Sequence, residues 1–208
     1  MQRTMRSTWL TGFILLSSLL GCGKDDGGGS NADGKLGAAN YVVLESGDLQ
    51  RGSDKLSGSG AVAFKEPVGE IGAKKSYTLT FALEDGGSLV LLAQGAKSLE
   101  NSVELKFSRA AGELKATLSA AGKNAEPKLL AGVDAASDSV TLTIDIHNDE
   151  SPAHVLVWSG NDFAEEKALL NSEEDTPGQG SGTFWGLRLV KATVTSALIG
   201  DPKYVEEE

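Results

Sequence analysis

Val140-Thr141-Leu142-Thr143-Ile144-Asp145-Ile146-His147 is the stretch on which the reading of this chain turns. Val140, Leu142, Ile144 and Ile146 alternate with Thr141, Thr143 and Asp145. Successive side chains of a strand point to opposite faces, so this spacing lays one aliphatic face on a core and turns a polar face outward. Downstream, His154 to Trp158 is nearly all apolar, as a central strand covered on both faces should be, and Phe184 to Val194 reads as a strand pair or one long bent strand. Upstream, Tyr41 to Glu45 and Gly60 to Phe64 open the pattern. Tyr77, Leu79, Phe81 and Leu83 alternate with Thr78, Thr80 and Ala82. Glu84-Asp85-Gly86-Gly87-Ser88 reads as a hairpin turn, because Asp-Gly supplies the positive φ that tight turns require, and Leu89 to Ala93 returns as a strand. Val103, Leu105 and Phe107 then alternate with Glu104 and Lys106, Ala111-Gly112 turns the chain, and Leu114, Ala116 and Leu118 alternate again.

Short strands with turn signals between them predict an all-β, antiparallel β-sandwich over residues 39–208. Its expected core includes Leu79, Phe81, Leu105, Phe107, Leu142, Ile144, Val155, Val157, Leu187 and Leu189. One short helix is expected: Asp162 with Glu165 three residues on makes a capping box, and the helix should close by Asn171. Thr176 to Gly182 is expected to be a mobile surface loop.

The N-terminus has a different character. Met1 to Arg6 carries Arg3 and Arg6, Trp9 to Leu20 is apolar apart from Thr11, Gly12, Ser17 and Ser18, and Leu19-Leu20-Gly21-Cys22 follows. A basic stub, a short apolar run and a small residue form a secretory signal peptide. The run is about 12 residues, short of the ~20 a membrane-spanning helix needs. Leu19, Gly21 and Cys22 resemble the lipobox of bacterial lipoproteins, with Leu20 bulkier than the usual residue at its place. The resemblance implies that residues 1–21 are removed, that Cys22 carries a diacylglyceryl thioether and usually an acylated amine, and that the membrane is a partner through these chains. Several acyl chains anchor stably, where one binds only marginally. Gly23 and Lys24, rather than Asp, follow the cysteine, which by the same resemblance directs the protein to the outer membrane. Residues 22–38 are rich in Gly, Asp and Ser and read as a flexible tether with a span of roughly 20–24 Å.

Composition narrows the chemistry. The 208 residues carry a net charge of −10, and loss of Arg3 and Arg6 with the leader makes it −12. An acidic surface repels phosphate backbones, so nucleic acid is excluded as a partner. Cys22 is the single cysteine, so the domain has no internal disulfide and is held by packing. Gly178-Gln179-Gly180-Ser181-Gly182 lacks the Lys-Ser/Thr and the following helix of a phosphate loop. His147 and His154 have no metal or triad spacing and read as rim residues at the ends of a hairpin. The carboxylate pairs lie in turns, where they are normally solvated. His147 to Ser151 is the densest run of oxygen ligands but matches no calcium-loop spacing, and no cofactor is expected.

Aromatic rings bear on sugar binding. Trp185 shares a face with Leu187 and Leu189 and is expected in the core. Trp158 is either core or, standing before Gly160-Asn161-Asp162 at a sheet end, a stacking ring. Trp158, Asn161 and Asp162 are therefore the candidate ligand-binding residues: a broad ring, an amide and a carboxylate are what a sugar ring requires.

From Tyr77 to Tyr204 the chain resembles the concanavalin A-like jelly roll, including laminin-G-like modules. The resemblance rests on Thr78-Leu79-Thr80-Phe81 with its Asp85-Gly86 turn, on Ala153 to Trp158, and on Phe184-Trp185-Gly186-Leu187-Arg188-Leu189. It implies binding of glycans or of an envelope protein. The Glu-x-Asp-x-x-Glu strand of the family's glycosidases does not occur here, so no hydrolase activity is expected.

Replacing Cys22 tests the anchor. Cys22→Ser should abolish fatty-acid incorporation and move the protein from the membrane to the soluble fraction; wild type that takes up no labelled fatty acid would refute the lipobox reading.

Overall fold

A computed structural model describes residues 36–149, 151–172 and 178–204; Cys22 and the leader lie outside them. Among the described residues twelve strands occur in order: β1 (Tyr41–Glu45), β2 (Gln50–Arg51), β3 (Leu56–Phe64), β4 (Lys74–Gly95), β5 (Val103–Ala110), β6 (Glu113–Ala120), β7 (Lys123–Asn124), β8 (Lys128–Leu129), β9 (Val140–His147), β10 (His154–Trp158), β11 (Leu170–Asn171) and β12 (Phe184–Gly200). Every pairing among them is antiparallel. The fold is a β-sandwich of the jelly-roll type, as the alternation predicts.

The two layers grow from one long pair. β4 runs 22 residues and β12 runs 17, and they pair from Ser76↔Gly200 to Gly95↔Phe184. The first half of β4 continues into β9, β10 and β11, and its second half into β5, β6 and β7. On the other side of β12, β3 follows the same course and carries β1. The chain is therefore not reversed at Glu84–Ser88, where the sequence suggests a hairpin. Leu83 pairs with Ala192 and Ser88 with Val190, so Glu84 to Gly87 stand opposite Lys191 alone. Positive φ at Gly86 (+72°) and Lys191 (+47°) is spent on a bulge that bends both strands from one layer into the other. Side chains are excluded at Gly87, since a Cβ there would lie 2.6 Å from the Lys191 carbonyl and 2.8 Å from that of Glu84.

All ten expected core residues are buried. The layers meet through Phe81 on Phe107 (centroids 5.5 Å apart) and Tyr77 on Trp185 (5.6 Å), while Phe64 stacks on Trp185 at 4.0 Å. Leu36 is fully buried in the same core, so the packed body begins ahead of residue 39.

The capping-box helix does not form. A single 3-10 turn, Glu165–Lys167, takes its place, and Asp162 Oδ1 accepts only the Ala164 amide at 3.3 Å. Beyond it the Leu169 amide donates to the Val157 carbonyl (2.7 Å) and the Ser172 amide to that of Val155 (3.1 Å). So short a stretch barely repays helix nucleation, whereas an open strand edge satisfies these amides at once.

Ile144 is fully buried between the layers. Ile144→Ala should destabilise the domain by ~2–5 kcal/mol in a urea titration.

Candidate functional site

The outer faces of the two layers differ. On the layer containing β9 and β10, alternation turns Asp145, His147, His154, Leu156 and Trp158 outward, but chain from elsewhere lies over them. Trp158 is fully buried, its Nε1 donates to the Ala164 carbonyl (2.9 Å), and Phe163 packs edge-on against its ring (5.7 Å). It presents no face to solvent for a sugar to stack on. Asn161 and Asp162 stand exposed on the turn beyond, so the structure does not join the three residues in one recess.

Lys203 and Tyr204 close the rest of this face. Asp145 is fully buried, and its Oδ2 accepts the backbone amides of Lys203 (2.5 Å) and Tyr204 (2.8 Å). The Tyr204 ring stacks on His147 at 6.0 Å. Its hydroxyl donates to Glu165 Oε2 (2.8 Å), whose other oxygen accepts from Asn171 Nδ2 (2.7 Å), and Asn171 Oδ1 lies 2.9 Å from His154 Nε2. The two histidines are thus buried members of a structural network rather than rim residues.

The glycine run is also committed. Asn148 is fully buried, donates to the Gly180 carbonyl (2.9 Å) and accepts the Gly180 amide (2.8 Å). Gln179 Nε2 reaches the Asn148 carbonyl, and the Gly182 amide the Gln94 carbonyl. A Cβ at Gly180 would fall 2.7 Å from the Gln94 carbonyl. Residues 178–182 are therefore pinned to the body, and their glycines serve close backbone approach. Of the oxygen-rich run 147–151, Asn148 is used in this way and Asp149 pairs with Lys74 (3.3 Å). Among the described residues no group of three or more His, Cys, Asp or Glu is placed to hold a metal ion.

The outer face of the other layer is open. Register carries Glu45, Ala61, Arg188, Val90, Lys106 and Thr117 across it in one row. Loop 96–102 folds back over its end, with Leu99 seated above Gly186, where a Cβ would collide with it. Against that loop lies a depression of about 360 Å³, floored by Ala61 and Leu92, walled by Ser98 to Asn101, and edged by Leu44, Glu45, Glu104 and Arg188. The Arg188 guanidinium has one long ion pair, Nε to Glu45 Oε1 at 3.9 Å, and the side chains of Glu104 and Asn101 have no hydrogen-bond or ion-pair partner among the described residues. Planar donors and acceptors thus surround a small apolar floor.

Sequence reasoning missed this site. Glu104 stands between apolar residues of β5 as Arg188 does in β12, and alternation says only that such residues face outward. Their convergence depends on β5 and β12, some eighty positions apart in sequence, flanking β4.

No family model matches this chain, and no curated protein does either. Solved structures of like shape include a carbohydrate-binding module, CBM66, from Bacillus subtilis (10% identity, 78% of this chain and 96% of that one, TM-score 0.51). Others are the β-glucanase of Bacillus licheniformis (9%, 82% and 97%, TM-score 0.54) and a prokaryotic β-1,3-1,4-glucanase, a lichenase, derived from a mouse hindgut metagenome (7%, 81% and 97%, TM-score 0.53). At these identities the likeness is one of fold. The fold so defined is the concanavalin A-like jelly roll.

Hydrogen bonds from Tyr204, then from Asn171, hold the Glu165 carboxyl below its ordinary value. A depressed value stabilises the fold above the unfolded-state pKa, and that contribution is lost as pH falls through the folded one. Tyr204→Phe should raise the Glu165 value in an NMR titration, and the stability gap between mutant and wild type should close as the medium becomes acid.

Proposed function

We propose that the protein is a lipid-anchored envelope lipoprotein of the outer membrane whose jelly-roll domain binds glycans, without catalysis, on the open face at Arg188. The anchor reading rests on Leu19-Leu20-Gly21-Cys22. The binding reading rests above all on one observation: Arg188, Glu104 and Asn101 bring hydrogen-bonding groups largely unclaimed by the protein to the rim of a recess with an apolar floor. Hydroxyl-rich rings need both parts. Forked side chains grip neighbouring hydroxyls, and the carbon face of the ring rests on apolar surface. The sugar-binding module among structures of like fold supports the same reading.

A hydrolase is the second reading, because Glu45, Glu100 and Glu104 bring three carboxylates to this recess and glucanases share the fold. Glycoside cleavage needs two acids across the scissile bond. Release of reducing ends from β-glucan, lost in Glu104→Gln, would decide for it.

A glycan panel probed with purified protein should return at least one binder, and Arg188→Ala should weaken it by about 1.5–3 kcal/mol, the range of hydrogen bonds to a charged group. Because Arg188 is half-exposed, the melting midpoint should stay nearly unchanged. A panel without binders would refute the reading.

A further inference from the structure

The recess continues across the sheet. A second depression, of about 150 Å³, is lined by Ser119 on β6 and Asn124 on β7 and shares Asn101 and Glu104 with the first. The two form one trough along the foot of the Ser98–Asn101 wall. Register sets its course: Leu92 pairs with Glu104, Glu104 with Ser119, and Ser119 with Asn124, so it runs at right angles to the strands. From β1 to β7 there are six strand spacings, which at about 4.8 Å each make roughly 29 Å. Polar groups recur along the way, with Arg188 and Glu45 near one end, Glu104 and Asn101 in the middle, and Ser119 and Asn124 at the other. Ser119 Oγ donates to Asn124 Oδ1 (2.7 Å), which orients that amide and leaves its NH2 without a partner among the described residues. β1 and β7 end the row of strands, and Leu44 and Asn124 are exposed there.

Building on the glycan reading of this face, we propose that its ligand is the interior of a linear glycan, laid across the strands and occupying about five sugar units. A sugar ring with its linkage advances an extended chain by slightly more than one strand spacing, so about five units cover the six spacings. A single sugar would fill one depression and leave the other's polar groups in water. A chain end would need a closed trough, and this one is open at both edge strands.

The test is calorimetric titration of the whole chain with β-1,4-linked and mixed β-1,3-1,4-linked gluco-oligosaccharides and with N-acetylglucosamine oligomers of one to six units. Affinity should rise roughly tenfold or more from two to five units and then level off. Blocking both ends of the hexamer should change nothing. Asn124→Ala should remove the gain of the longest oligomers and leave the short ones unaffected, while Glu104→Gln should weaken every length, both with unchanged melting midpoints. Equal affinity for monomer and hexamer, or loss of binding on end-blocking, overturns the interior-chain proposal but leaves the glycan site standing. Failure of every length, or capture of an extended peptide in place of any glycan, overturns both.

Discussion

Everything in this molecule hangs on the bent pairing of β4 with β12. Two long strands stay hydrogen-bonded through a bulge, four residues against one, and leave it pointing into a different layer. Because the ladder is not broken there, both layers inherit their register from a single reference, and side-chain alternation is set for both at once. The aromatic contacts between layers, Phe81 on Phe107 and Tyr77 on Trp185, follow from that register. With no cysteine inside the domain, continuity of backbone pairing and dense apolar packing take the place of cross-links.

The layers then diverge in fate. The outer face of β9 and β10 carries Leu156 and Trp158, which water would penalise, and a buried carboxylate at Asp145. Loop 159–169 and residues 203–204 cover both: Phe163 and Ala164 lie over the indole, and two backbone amides meet one oxygen of the carboxylate, Oδ2. A buried charge is tolerated only when donors converge on it. The segment around Lys203 and Tyr204 is therefore an integral part of the fold. On the opposite face, loop 96–102 covers only one end. Leu99 over Gly186 shields a small apolar patch, and the rest stays open as a trough with polar edges.

This division explains where function is to be sought. A face covered by other parts of the chain presents little to a ligand, however aromatic its sequence. An open face whose arginine, glutamate and asparagine are held by strands and a braced loop, but hardly engaged by each other, retains hydrogen-bonding capacity that the protein does not use.

Alternation at Val140–His147 and its counterparts determined the strands, their inward faces and the class of fold, because period-two burial is a local property of the chain. It also placed Asp145 on an outward face and Trp185 in the core. Three things were decided only in three dimensions. Glu84–Ser88 has the composition of a turn, yet it became a bulge because β12 pairs with the strand on both sides of it. Asp162–Glu165 has the letters of a capping box, yet the chain beyond it paired with β10, which offered bonds at no nucleation cost. Trp158 reads from the sequence as either core or a binding ring, and its burial was decided by what covers an outward face, which comes from other parts of the chain. The site at Arg188, Glu104 and Asn101 was illegible for the same reason: alternation says which way a side chain points, and only long-range register says which side chains it points beside.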